Sequence, residues 1–570
     1  MSRIIGIDLG TSTSEIAYFE AGKPVVIPNH LGELVTPSVI HISPAGEITI
    51  GTESKEKLLL EPDCTFMEVK RLMGSGDSLS AHGISYSPQQ LSAYILRYLT
   101  DCAGTFLKED INRVVITVPA YFSDEQRRAT VEAGKLCGLT VERIINEPTA
   151  AALSYGIDHL TDCTNILVYD LGGGTLDITA LEMFEGVMEV RASSGDNQLG
   201  GKDFDEAIIQ YLLGKFSESQ QPYIKNDLRA MARLKREAEL CKIALSEEME
   251  YAISLPFFSN IKGKLVSIDE IITRPLFESL IKDKIDATQE QIKIALKDAK
   301  MKLDDIDLIL MVGGSTRIPY VERFITEIFH KPPQHLIDPD LAVVNGAAIQ
   351  AGIIGDQFEG DEIVLTDVCP YTLGTAVLRD LFFDMSDRDL YFDPIIPRNT
   401  TIPTTIEKTY TTSHDDQYKV EIKVYQGEYS DPNLNNYLGK FSLAGIPPAP
   451  AGEEKIAIAF SYDVNGILQV DAKIISTGEK AAITISTSDS SMVEEIDISK
   501  WKESKKARKY TSIIRRAEKV VLQEGDDTDE LQDLIRMLKE ALIKEESTEI
   551  LEECKDDIID YLLDLENDDE

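Results

Sequence analysis

Apolar residues in the first 358 positions fall into two alternating patterns. Residues 4–9, 114–118, 166–171 and 308–312 are short apolar runs closed by Gly, Pro or Asp, the pattern of strands buried in an α/β sheet. Residues 123–137 and 227–245 carry helical spacing, and Ser123 with Gln126 three residues on predicts a capping box. The opening IGIDLGTSTS is echoed by VYDLGGGTLD at 168–177. Both read as strand, Asp-Leu-Gly turn, strand, which predicts two similar lobes facing each other across a cleft.

The pattern changes after Gly360. The segment GDEIVLTD reads as a linker that docks through Ile363, Val364 and Leu365. From Pro370 to about Thr487 the alternation has period two, clearest at 418–425 and 455–462, and Val464-Asn465-Gly466-Ile467 predicts a type I′ hairpin. Residues 444–452 are Pro-rich and read as a connection. Beyond Glu494 there is no Pro, and Leu531, Leu534, Ile535, Leu538 and Leu542 form one amphipathic helix face. The expected organisation is a two-lobed α/β domain at 1–361, a linker at 362–367, a β domain at 368–488 and a short helical end at 489–570.

Composition narrows the function. A chain of 570 residues exceeds a single core. The net charge of −41 disfavours nucleic acid and anionic membrane as partners, although solubility alone accounts for it equally well. No apolar run approaches the roughly 18 residues that span a bilayer, and MSRIIGIDLG does not read as a signal peptide. Cys64, Cys102, Cys137, Cys163, Cys241, Cys369 and Cys554 are scattered without a CxxC pair, the pattern of reduced thiols in a cytoplasmic protein.

The candidate chemistry lies in the turns. Gly10-Thr11-Ser12-Thr13 and Gly172-Gly173-Gly174-Thr175 each expose successive N–H groups and hydroxyls to an anion. Asp8 and Asp170 close the strands before them and suit a hydrated Mg²⁺. Neither loop is a Walker A motif, and either alone reads equally as a plain hairpin turn. Gly313-Gly314-Ser315-Thr316-Arg317 allows a base or ribose to lie on backbone, with Arg317 stacking on adenine. Glu147-Pro148 opens a helix, where the carboxylate can organise metal-bound water.

DLGTSTS, VKRLMG, VPAYFSDEQRRAT, RIINEPTAAALSYG, DLGGGTLDI, LGGKDFD and VGGSTRIP resemble, in order and spacing, the motifs of the DnaK-type heat-shock chaperones. The likeness continues through DVCPYTLG, RNTTIPT, VYQGE and NGILQV. The resemblance implies an actin-like α/β ATPase domain of two lobes, a peptide-binding β-sandwich and a short α-helical lid, with ATP or ADP, Mg²⁺ and K⁺ as ligands. Asp8, Glu147, Asp170 and Asp177 are implied to surround Mg²⁺ and the attacking water, and Lys70 and Thr175 to meet the γ-phosphate. Thr11 and Ser12 are implied to hold phosphate oxygens, with Gly200 and Gly201 beside the nucleotide. Glu239, Lys242, Ser246, Gly314, Ser315, Arg317 and Asp340 are implied to grip ribose and adenine. Pro119 and Arg127 match a relay between nucleotide and peptide sites. Arg143, Asn146, Thr149 and Asp367 match the surface used by J-domain cochaperones. Leu373, Tyr410, Val420, Ile422 and Ile467 match a peptide pocket, and Leu378 and Ser413 the arch over it, though the same residues read equally as sandwich core.

The sequence departs from the family at Thr13, usually Asn, and at Thr375, usually a large aliphatic residue. The linker reads VLTD rather than a leucine run, which predicts weaker docking. An insertion within 379–397 and the short helical end look most like the HscC-type bacterial paralogues. The expectation is an ATP-dependent chaperone, monomeric, with unfolded clients, a J-domain cochaperone and an exchange factor as partners. A small-molecule kinase leaves the β and helical regions without purpose, and the charge and appended domains disfavour a filament protein. A passive holdase conflicts with Lys70, Thr175, Asp8 and Asp170.

Overall fold

The computed structural model describes residues 3–157, 159, 163–334, 338–358, 363–378, 390–484 and 506–524, with single helical positions from 531 to 562. Residues 379–389 of the expected insertion, position 362, residues 489–505 and Cys554 lie outside the described residues. The chain forms two compact units, 1–486 and 487–570.

The first unit opens with a meander of β1 (Ile4–Leu9), β2 (Thr13–Glu20) and β3 (Lys23–Val26). Helix α1 (Pro88–Leu107), strand β4 (Arg113–Val118), helix α2 (Asp124–Leu136), strand β5 (Thr140–Asn146) and helix α3 (Glu147–Gly156) complete a first lobe. Its sheet order is β5-β4-β1-β2-β3. Ser123 and Gln126 form the capping box on α2 that the sequence predicts.

The second lobe repeats the design. It contains β6 (Thr164–Leu171), β7 (Leu176–Phe184), β8 (Val187–Asp196), helices α4 (Gly201–Leu213), α5 (Leu228–Glu247) and α6 (Arg274–Ala299), and strand β9 (Leu308–Val312). In each lobe the strand before the Asp-Leu-Gly turn is flanked by its hairpin partner on one side and a parallel strand on the other: β1 by β2 and β4, β6 by β7 and β9. Helix α7 (Ala342–Ile354) ties the lobes together. Ala347 and Ile349 share one core with Ile4 and Val115 of the first lobe and Ile166 and Leu310 of the second. Gly6 admits this approach, since a Cβ there would lie 2.3 Å from the Ala348 nitrogen.

The linker is a strand. β10 (Val364–Val368) runs parallel to β8 and extends the second sheet to the order β9-β6-β7-β8-β10. Strand alternation places Ile363 and Leu365 against the lobe core but leaves Val364 exposed. Val364 therefore does not join the docking that the sequence assigns to all three residues.

The β region contains β11 (Leu373–Leu378), β12 (Leu390–Ile396), β13 (Thr404–Thr411), β14 (Lys419–Gln426), β15 (Asn436–Ala444), β16 (Lys455–Tyr462), β17 (Leu468–Ile474) and β18 (Lys480–Thr484). They form two antiparallel sheets, β12-β11-β14-β15 and β13-β16-β17-β18. Residues of both sheets, among them Leu373, Ile422, Val424, Phe460 and Val470, build one core. The turn between β16 and β17 is not type I′. Asp463 takes the Gly466 N–H, and Gly466 has φ 68° while Asn465 stays out of the left-handed region. A type I turn with a left-handed glycine results, and the Asn465 side chain is then available to a partner.

In the second unit α8 (Ala507–Glu524) contributes Ala507, Tyr510, Ile514 and Ala517 to a core. Leu531, Ile535, Leu538 and Leu542 join that core, with Leu534 packed against it. The amphipathic face read from the sequence is thus the packed face.

Candidate active site

Four glycine turns converge at the cleft. Gly173 faces Ser12 so closely that a Cβ would lie 2.1 Å from the Ser12 Oγ, and one at Gly174 would lie 2.7 Å from the Thr11 Cγ2. The two hairpin turns therefore meet head to head, as the sequence repeat predicts. Gly200 lies against Gly174, its own Cβ position 2.5 Å from the Gly174 nitrogen. Gly201 N–H donates to the Gly172 carbonyl at 3.0 Å, and Ser315 Oγ donates to the same carbonyl at 2.8 Å. Gly313 needs its φ of 81° to pass under Leu171. A floor of backbone without side chains lets a phosphate approach closely. Gly10 turns toward Thr13, which opens β2 with an exposed side chain. Thr175 is buried and closes the second turn by accepting the Gly172 N–H.

Around this floor stand buried carboxylates. Asp8 accepts a hydrogen bond from the Thr117 hydroxyl at 2.6 Å. Burial, reinforced by Glu147, raises its pKa to about 6, against Lys70 and Thr117. Burial and the neighbouring Glu147, Asp177 and Asp8 push Asp170 well above the usual carboxylate range. Asp177 accepts the Tyr121 N–H at 3.0 Å, yet burial and Glu147 still raise it to about 7. Asp170 Oδ2 and Asp177 Oδ2 are buried without a hydrogen-bond partner, a costly state that a cation or its water shell would relieve. Lys70 donates to Glu147 and is itself buried. Among the described residues no three His, Cys, Asp or Glu side chains converge on a metal position. The arrangement fits a hydrated cation held largely by water and phosphate oxygens.

The residues expected to hold adenosine are more dispersed. Lys242 pairs with Asp205 at 2.8 Å and donates to the Gly201 carbonyl at 3.0 Å. Burial works against ionisation of Glu239, but Lys202 and Lys55 outweigh it and hold Glu239 down to about 2. Glu239 lines a cavity of about 390 Å³ together with Lys55, Arg71, Asp203 and Leu240. Ser246 Oγ turns back onto the Lys242 carbonyl. Arg317 reaches Asp338 and Asp340, each at 2.8 Å, rather than extending alone toward a base.

The β region is docked on the first lobe beside this site. Asp124 Oδ1 accepts the Leu468 N–H at 2.8 Å, and Arg128 donates to the Leu468 carbonyl and to Asp124. Asn465 Oδ1 accepts the Ile144 N–H at 2.9 Å. Arg127 binds Asn146 at 2.8 Å and the Ala120 carbonyl at 2.9 Å, and packs under Gly466. Pro119 starts the turn that leads there, its carbonyl accepting the Phe122 N–H. Thr149 donates to Asp367 at 3.3 Å. Docking of β10 buries Asn146, Thr149 and Asp367, so of the expected cochaperone residues only Arg143 keeps partial exposure.

Among the expected peptide residues, Leu373 and Ile422 are core, with Tyr410 and Val420 packed against it. Leu378 is exposed, and Ser413 N–H donates to Gln417 at 2.8 Å. Ile467 stands apart, in the turn next to Leu468. The Tyr410 hydroxyl donates to Asp393 at 2.7 Å, and Lys408 pairs with the same carboxylate at 3.1 Å.

Sequence reasoning passed over several residues. Glu15 is buried opposite Asp8 in the β1–β2 register, with Oε1 unpartnered; alternation along β2 puts it on the face of Ala17 and Phe19, the one signal the sequence carries for it. Arg71, beside Lys70, binds the Gly174 carbonyl at 2.9 Å and Asp203 at 2.6 Å. Thr117, Tyr121, Asp124 and Arg128 act through partners distant in sequence.

Comparison with known proteins agrees with this architecture. The family model described as "Hsp70 protein" matches residues 4–81 and 78–569. A protein named Chaperone protein DnaK from Thermotoga petrophila is 42% identical over 561 residues, covering 95% of this chain and 92% of the relative. A protein of the same name from Thermosipho melanesiensis is 45% identical over 514 residues, covering 89% and 85%. One from Thermosipho africanus is 42% identical over 562 residues, covering 95% and 92%. Matched along nearly its whole length and built around the site those motifs describe, the chain belongs to the Hsp70 family and is an ATP-dependent chaperone and ATPase.

Proposed function

We propose that the two lobes hold MgATP between the turns Gly10–Thr13 and Gly172–Thr175, and that hydrolysis there controls an apolar-peptide clamp in the β region. The observation that carries this reading is the docking of the β region: Asp124 and Arg128 of the first lobe hold the backbone of Leu468, and Asn465 of the β region accepts the Ile144 N–H of the lobe. A nucleotide-dependent shift of those turns then has a direct path to the clamp.

Hydrolysis follows from positioning and charge. Mg²⁺, met through water by Asp8 and Asp170, would neutralise phosphate charge, and K⁺ would supplement it. Lys70 lies against the γ-phosphate position and fixes Glu147, while Asp177 and Glu147 orient the attacking water. Thr11, Ser12 and Thr175 bind phosphate oxygens. Lys242, Glu239, Ser246 and the Gly313–Arg317 turn hold the nucleoside end.

Two antiparallel sheets around one core support reading 368–488 as a peptide-binding β-sandwich, and the α8 unit supports reading the helical end as a short lid. On the insertion within 379–397 and the short helical end, the chain is assigned to the HscC-type paralogues. It acts as a cytoplasmic monomer on extended client polypeptides, with a J-domain protein reached through Arg143 and a nucleotide-exchange factor as partners.

Fluorescence anisotropy of a labelled apolar peptide tests the reading. MgATP should release the peptide rapidly, and Pro119→Gly should slow the release. Peptide bound equally with and without MgATP would point instead to a passive holdase.

A further inference from the structure

Tyr121 stands between the β region and a catalytic carboxylate. Its N–H donates to Asp177 Oδ1 at 3.0 Å. Its carbonyl accepts the Tyr371 hydroxyl at 2.9 Å and the Asn197 amide at 2.8 Å. The two tyrosine rings lie 4.4 Å apart between centroids, tilted by 49°. Tyr371 lies between β10 and β11 and is held by the β region: the next residue, Thr372, is fixed by Glu428 through its N–H and its hydroxyl, both at 2.9 Å. Tyr371 therefore reaches Tyr121 only while the β region is docked, and Tyr121 reaches Asp177 directly.

We propose that Tyr371 is a positioning residue for ATP hydrolysis, which, seated on Tyr121, restrains Asp177 while the β region is docked. The inference rests on the gated-clamp reading above. Its sense follows from that gating. Were the contact to promote hydrolysis, ATP would be spent fastest in the state that releases client, and the clamp would never be held open. In the docked arrangement Asp177 turns one oxygen to the Tyr121 backbone, and its other oxygen is buried without a partner. Undocking removes both the ring contact and the hydrogen bond, and frees the loop that carries the Tyr121 N–H.

Tyr371→Phe keeps the ring and removes the hydrogen bond. Hydrolysis by the full chain is followed in single turnover, with and without a saturating apolar peptide, and KM for ATP is measured alongside. In the variant the peptide-free rate should rise about threefold, the weight of one hydrogen bond, while the peptide-saturated rate, KM and peptide affinity in ADP stay at parental values. Tyr371→Leu, which also loses the ring contact, should raise the peptide-free rate further. A Tyr371→Phe chain that matches the parent, hydrolyses more slowly, or shifts equally in both states overturns the inference. A parent whose hydrolysis ignores peptide overturns the gating reading itself, and this inference with it. A peptide-stimulated parent beside an unaffected Tyr371→Phe overturns this inference alone.

Discussion

Lys70 donates to Glu147 from a short 3-10 turn, Val69–Leu72, and Glu147 is the first residue of α3. The two residues lie 77 positions apart, and both are nearly closed to solvent. The ammonium also lies over the Phe122 ring, 5.6 Å from its centroid, so a positive charge is held in place at this point of the cleft. Lys70→Ala should slow single-turnover hydrolysis about 100-fold, the usual weight of a lost electrostatic contact to the transition state. Labelled ATP should still bind, since the glycine turns are untouched. A variant that hydrolyses ATP at the parental rate would remove Lys70 from the mechanism.

Asp177 predicts a trade between stability and turnover. Burial raises its folded-state pKa from 3.8 to about 7. An acid raised on folding takes up a proton as the chain folds. It therefore costs nothing below about pH 4, and its penalty is complete once the pH has risen through about 7. At about 1.4 kcal/mol per unit, the penalty at pH 8 reaches at most about 4 kcal/mol. Asp177→Asn keeps the acceptor for the Tyr121 N–H and removes the charge. Nucleotide-free Tm should rise at pH 8, the gain should shrink toward pH 5, and hydrolysis should be lost. An unchanged or lowered Tm at pH 8 would contradict this account.

Much of the fold was written in local pattern. The Asp-Leu-Gly repeat gave the two matching hairpins because a tight turn after a buried strand needs specific residues at fixed positions. The capping box on α2 was legible for the same reason. Contacts between distant segments were not. Nothing local to Asp124 announces that it will cap the backbone of Leu468, 344 residues away. The turn at Val464-Asn465-Gly466 was misread because Asn-Gly suits two turn types, and here Asn465 serves Ile144 on the first lobe. Glu15 is the intermediate case: its face was deducible, but its burial depends on α7 and Asp8.

Gly200 offers a steric test of the phosphate floor. Its added Cβ would sit 2.5 Å from the Gly174 nitrogen and 2.7 Å from the Gly173 carbonyl carbon. Both are backbone atoms of the second turn and cannot swing aside. Gly200→Ala should displace that turn and weaken ATP binding at least about tenfold by titration calorimetry, equivalent to about 1.4 kcal/mol. Gly263→Ala, a left-handed glycine of the Glu250–Ile261/Lys264–Thr273 hairpin with open space around it, controls for general strain. Equal ATP affinity for Gly200→Ala and the parent would place the phosphates elsewhere.

Docking itself can be broken at Asp124. Its side chain is closed to solvent and holds both Arg128 and the Leu468 N–H. Asp124→Ala leaves a mostly buried guanidinium and a buried N–H without that carboxylate, a change that typically costs about 2–5 kcal/mol at an interface. The first lobe loses little by it, because α2 keeps its Ser123–Gln126 cap. The penalty therefore falls on the docked arrangement, and the β region should separate from the lobe. Amide exchange at Leu468 and Ile144, whose N–H groups are donated across the interface, should accelerate at least about tenfold in the ATP-loaded chain, while exchange in β1 and β6 stays slow. Peptide release by MgATP should weaken in step. Unaltered exchange at Leu468 together with normal release would show that Asp124 does not hold the domains together, and would transfer that role to Asn465 and the Tyr371 contact.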